Sequence, residues 1–106
     1  MMALGAVGLM NAVGNLHPRV LAQLCEAVWA GDLRAGRALH ESLLELNRAI
    51  FFDTNPIPIK YMMKRLGLLE RNEHRLPMAP ATPELERRLD AVLANCGLFD
   101  TLAASA

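Results

Sequence analysis

The sequence predicts a mainly α chain, and three observations carry that reading. Leucine-rich stripes recur at helical spacing in two windows, Leu39/Leu43/Leu46/Ile50 and Leu85/Leu89/Val92/Cys96, each at i, i+4, i+7, i+11. Prolines and capping residues punctuate the chain where helices would begin, and glycines where they would stop. The apolar content is 53% with only 5% aromatic residues, and much of it is Ala, Leu and Met, which favour helix. The length of 106 residues allows one small domain with a modest core. The 11 basic and 11 acidic residues cancel, so no overall charge draws the chain to nucleic acid. Cys25 and Cys96 lie far apart and lack metal-ligand spacing, which suits buried thiols in a reducing, cytoplasmic setting.

Taken in order, the first segment is the exception to helix. Residues 5–13, GAVGLMNAV, are short, apolar and broken by glycine. That composition suits a fully buried parallel strand, although periodicity alone leaves a helix open. No Lys or Arg precedes the apolar run, and it is too short to span a bilayer, so neither a signal peptide nor a membrane segment is expected. Pro18 opens the first helix, with Val20, Leu21, Leu24, Ala27 and Val28 on one face, Trp29 beside it and Gly31 as its stop.

Asp32 caps a second, long helix that the prolines end near Phe52. Arg37 and Glu41 form an i,i+4 pair on its outer face, and His40 has no second ligand at metal spacing. Asn55-Pro56-Ile57-Pro58 cannot continue that helix, because each proline lacks an N–H and pushes the residue before it toward extended geometry. An extended step from Asn55 is therefore expected. A helix beginning at Pro58 then presents Ile59, Met62, Met63 and Leu66, and Gly67 ends it. The apolar residue between the prolines reads either as a docking element or as a plain helix linker. Residues 70–75 read as a solvated loop, and Leu76 and Met78 as anchors around Pro77. Thr82 and Pro83 start the last helix, a Glu84–Arg88 pair supports it and Gly97 stops it. Residues 100–106 carry no pattern and should fray.

The run NPIPIKYMMKRLGL followed by RLPMAPAT resembles the C-terminal region of the dihydrodipicolinate synthase family, pyruvate-dependent class I aldolases and lyases on a TIM barrel. GAVGLMNAVGNLHP is similar to the family's last barrel strand and the loop after it, with Gly5, Gly8, Asn15 and Pro18 in matching places. A (β/α)8 barrel needs roughly 250 residues, so the resemblance covers only a C-terminal piece. It implies the last barrel strand and helix in residues 1–31 and a helical C-terminal extension in residues 32–106. It also implies a share in condensing pyruvate with aspartate semialdehyde, on the route to diaminopimelate and lysine, and a homo-oligomer, tetrameric in the family. Many relatives carry serine where this chain has Asn11. That position faces the active-site end of a barrel strand, so a related 2-oxo acid aldolase stays open, as does a plain role satisfying loop backbone groups.

No catalytic residue, cofactor site or metal site is expected in this chain. It has no phosphate-binding glycine loop, no usable Ser-His-Asp set, and no zinc spacing among His17, His40 and His74. The family's Schiff-base lysine, proton relay and substrate-holding arginine lie on earlier strands that this sequence does not match. The only lysines, Lys60 and Lys64, fall on the solvated side of the short helix. A reading of a different class is a free-standing helical interaction or nucleic-acid-binding module, using Lys60, Lys64, Arg65, Arg71 and Arg75. Finally, a parallel strand has no partner without its neighbours, so residues 5–13 should form no β-ladder within one chain.

Overall fold

The computed structural model describes residues 1–99, and the expected fraying of residues 100–106 lies outside them. Among the described residues, two short 3-10 turns at Met2–Leu4 and Ala12–Asn15 are followed by the helices α1 Pro18–Trp29, α2 Leu33–Ser42, α3 Leu44–Ala49, α4 Ile57–Arg65 and α5 Pro83–Asn95. No strand occurs among the described residues. Residues 5–13 therefore depart from the strand composition, and follow the expectation that they find no ladder partner. The segment runs irregularly from Ala6 and tightens into the second 3-10 turn, whose Val13 is fully buried.

The caps read from the sequence form as expected. Asp32 Oδ1 accepts from the Ala35 N–H at 3.0 Å, and Thr82 Oγ1 accepts from the Leu85 N–H at 3.3 Å. Gly67 and Gly97 follow their helices with φ of 75° and 66°, left-handed values that glycine adopts without a Cβ penalty.

The long second helix is instead two. Ser42 Oγ donates to the Leu39 carbonyl at 2.6 Å, the acceptor that a continuous helix would offer to the Leu43 N–H. Leu43 bonds to the His40 carbonyl instead, and the chain bends there into α3. The bend keeps Leu43, Leu46 and Ile50 in the core, with Leu39 half-buried. The extended step at Asn55 is a turn, closed by the Ile57 N–H on the Thr54 carbonyl at 2.9 Å, and α4 begins at Ile57 with Pro58 second. Ile57, Pro58 and Ile59 are all buried, so the prolines dock this corner onto the core.

One continuous core joins the pieces. Leu46, Ile50, Met62, Leu89 and Leu93 are its largest fully buried side chains. Cys96 closes the α5 stripe half-buried, its thiol pushed up by burial and then by Glu45. Tyr61 on α4 donates to Asp90 on α5 at 3.1 Å, and Arg65 Nε reaches the same carboxylate oxygen at 2.8 Å. Burial first, and then Asp90, raise the Tyr61 phenol to about 12.

Two surface expectations change. Arg88 lies over the Phe52 ring at 4.2 Å rather than on Glu84, exchanging an exposed ion pair for a cation–π contact with an aromatic body. Met78 packs against the core but Leu76 is 92% exposed and anchors nothing among the described residues.

Candidate functional site

The one sequence-marked position toward chemistry is Asn11, and the structure places it at the lip of a groove. Asn11 precedes the second 3-10 turn with extended backbone (φ −139°, ψ 128°) and caps it, its Oδ1 accepting from the Val13 N–H at 2.9 Å. Its Nδ2 donates to Asn47 Oδ1 on α3 at 3.0 Å. The loop-satisfying role and a long-range contact within the chain therefore coexist in one exposed side chain. The groove measures about 440 Å³, and Leu9, Leu21, Leu24 and Leu43 line it with Asn11 and Asn47. Arg37 and His40 from α2 stand on its polar side.

The groove exists because α1 and α2 pack closely. Gly36 is buried, and a Cβ there would meet Val28 Cγ2 at 2.9 Å. Sequence reasoning missed both Gly36 and Asn47. Asn47 lies four residues after Leu43, a polar residue beside the apolar stripe, which is a readable signal of an inward amide. Gly36 sits inside a helix, where its conformational cost hints at a close approach.

No lysine here is poised as a nucleophile. Lys64 is exposed as expected, whereas Lys60 departs from the solvated side: the residue is half-buried and its ammonium donates to the Glu73 backbone carbonyl. The other cations of the basic cluster are largely occupied. Arg65 holds Asp90 and lies 5.4 Å from the Phe99 ring centroid, and Arg71 pairs with Glu73 at 3.5 Å. His17 is pushed below its ordinary range by burial and then by Arg19, and His74 by burial and then by Lys60. His74 Nε2 meets Asn72 Oδ1 at 2.9 Å, while its Nδ1 is buried without a partner. His40 is exposed. No group of three or more His, Cys, Asp or Glu side chains is placed to hold a metal ion among the described residues. No helix among them is long and apolar enough to cross a membrane.

Comparison with known proteins supplies the context. The sequence model of the dihydrodipicolinate synthetase family matches residues 1–96. The chain belongs to that family. It is 51% identical over 99 residues to a 4-hydroxy-tetrahydrodipicolinate synthase of Thermus thermophilus, covering 93% of this chain and 33% of that protein. The synthase of Aquifex aeolicus is 41% identical over 98 residues, with 92% and 33% covered. The chain thus spans about a third of the length of the curated relatives it matches. Among solved structures, the Thermotoga maritima dihydrodipicolinate synthase superposes with a TM-score of 0.86 at 35% identity, over 92% of this chain and 32% of that one. A pyruvate complex of the chloride-inhibited synthase from Acinetobacter baumannii gives 0.85 at 28% identity, over 92% and 33%. Over this partial region the helical arrangement is that of the family.

Proposed function

We propose that this chain is the C-terminal part of a Schiff-base lyase that condenses pyruvate with aspartate semialdehyde, in the synthesis of diaminopimelate and lysine. The observation that carries the reading is 51% identity to a 4-hydroxy-tetrahydrodipicolinate synthase across nearly the whole chain, against one third of that relative. In this reading residues 1–31 are the last barrel strand and helix, and residues 32–106 are the helical extension that supports a homo-oligomer. Asn11 would stand at the mouth of the completed barrel, hydrogen-bonded to Asn47, and would shape the pocket without touching the covalent step. A different 2-oxo acid aldol remains the second reading, favoured by Asn11 itself. The free thiols of Cys25 and Cys96 suit the reducing, cytoplasmic location that this role carries.

Alone, the chain is inactive in this reading. A Schiff base needs a lysine amine that is neutral part of the time, through burial or neighbouring positive charge. Lys64 stands in solvent and Lys60 donates to a backbone oxygen. The test is incubation with pyruvate, borohydride reduction and mass spectrometry. The expected result is no adduct on this chain, and an adduct once the segment carrying the family's barrel lysine is joined ahead of it. Stoichiometric trapping on Lys60 or Lys64 would overturn the assignment of chemistry to the other part.

A further inference from the structure

Residues 70–75 carry the charge of a solvated loop, yet they are tied back to α4. Burial alternates along them: Asn72 and His74 are half-buried, and Arg71, Glu73 and Arg75 are exposed. Two contacts hold the stretch. The Lys60 ammonium on α4 donates to the Glu73 carbonyl. His74 Nε2 meets Asn72 Oδ1 at 2.9 Å, and an amide oxygen only accepts, so the imidazole proton sits on Nε2. That leaves Nδ1 as the site for a second proton, and Nδ1 is buried with no hydrogen-bond partner among the described residues.

We propose that residues 70–75 are a strap that lies closed on α4 at neutral pH and opens when His74 takes up a proton. The neutral ring fits the closed site. The imidazolium does not, because its new Nδ1–H would be a buried donor without an acceptor. Its charge would also go uncompensated. From α4, Lys60 faces it with the same sign, while Lys64 is exposed and Arg65 is taken up by Asp90. Along the strap Arg71 pairs with Glu73 at 3.5 Å, and Glu70 and Arg75 are exposed. No carboxylate forms an ion pair with His74 among the described residues. Burial first, and then Lys60, accordingly hold the ring below its ordinary 6.5. A value lowered in the closed state means that the open state binds the proton better. The stability that neutral His74 gives to closure is therefore complete above pH 6.5 and is lost as pH falls below it. The two contacts release together, since the Glu73 carbonyl and the His74 nitrogen share one planar peptide unit. When the ring swings out to water, that plane turns and Lys60 loses its acceptor. The far end stays anchored, because Met78 packs on the core and Ala81 is buried. The strap lies between α4 and α5, none of its residues lines the groove at Asn11, and its opening is independent of the lyase chemistry.

The test is nuclear magnetic resonance on the intact chain between about pH 5 and about pH 7.5, the range in which histidine changes charge. The expected result is that backbone order parameters of residues 70–75 fall from roughly 0.85, the rigid value, to below about 0.6 as the pH is lowered, while α4 stays rigid. The midpoint of that loss should coincide with the titration of the proton on His74 Cε1, below 6.5. His74→Leu, which has no proton to take up, should keep the strap closed throughout. Lys60→Met should raise the His74 midpoint and loosen the strap at every pH, a pair of effects that a purely structural histidine would not show. A strap equally rigid at both ends of the range, a His74 midpoint at or above 6.5, or a loss of order that persists in His74→Leu would each overturn the proposal. The coincidence of the two midpoints in the unaltered chain decides the matter even where a variant fails to fold.

Discussion

Leu89 sits at the centre of α5 with no exposed surface, and Leu89→Ala tests whether the α5 stripe holds the helices together. The substitution removes three carbons from the core. At about 0.8 kcal/mol for each buried methylene, the lost transfer free energy is about 2.4 kcal/mol. A residual cavity of some 40 Å³ adds about 1 kcal/mol at roughly 24 cal/mol per Å³. The expected cost is thus about 3.5 kcal/mol, a large share of the 5–15 kcal/mol typical of a whole domain. Leu44→Ala is the control. That leucine is 41% exposed on α3, and its loss should cost well under half as much. Urea unfolding of the intact chain, followed by far-ultraviolet circular dichroism and read from midpoints at constant slope, gives both values. A cost for Leu89→Ala below about 0.5 kcal/mol would refute the argument, because no well-packed leucine is removed so cheaply.

Gly36→Ala should destabilise by about 1 kcal/mol, because the new methyl meets Val28 Cγ2 at 2.9 Å and outweighs the gain in helix propensity; Val28→Ala in the same chain should recover most of that loss in thermal melts. Asp32→Ala removes the acceptor for the Ala35 N–H and should cost about 1 kcal/mol, whereas Asp32→Asn, which keeps the cap, should cost far less in the same assay. The single tyrosine, Tyr61, should titrate near 12 in an ultraviolet difference measurement instead of near 10. Its folded value lies above its unfolded one, so the stability it contributes is complete below pH 10 and is lost as pH rises toward 12. Tyr61→Phe should flatten that alkaline loss, and a tyrosine titrating at 10 in the folded chain would contradict first its burial and then the Asp90 contact.

The local punctuation was legible in the residues. Asp32, Thr82, Pro18, Gly67 and Gly97 act through their own backbones and nearest neighbours, so their effect needs no knowledge of the fold. The stripes through Leu46 and Leu89 were legible for the same reason, since helical periodicity places them on one face wherever the core lies. Family membership was legible too, because the Pro-bracketed corner and the RLPMAPAT run are chemically unusual and come in order. The break at Leu43 was not. Continuous helix and bent helix have almost the same propensity there, and the Ser42 hydroxyl tips the balance only once Leu43 has a core to turn toward. Arg88 likewise had two partners in reach, and the position of Phe52 beside α5, set by the turn after α3, decided between Glu84 and an aromatic face. The pairing of Asn11 with Asn47 joins residues 36 positions apart, a distance no local rule spans. Residues 5–13 mark the boundary between the two kinds of knowledge. Their composition is that of a buried strand, but a strand is a relation between stretches of backbone, and no strand among the described residues offers it a neighbour.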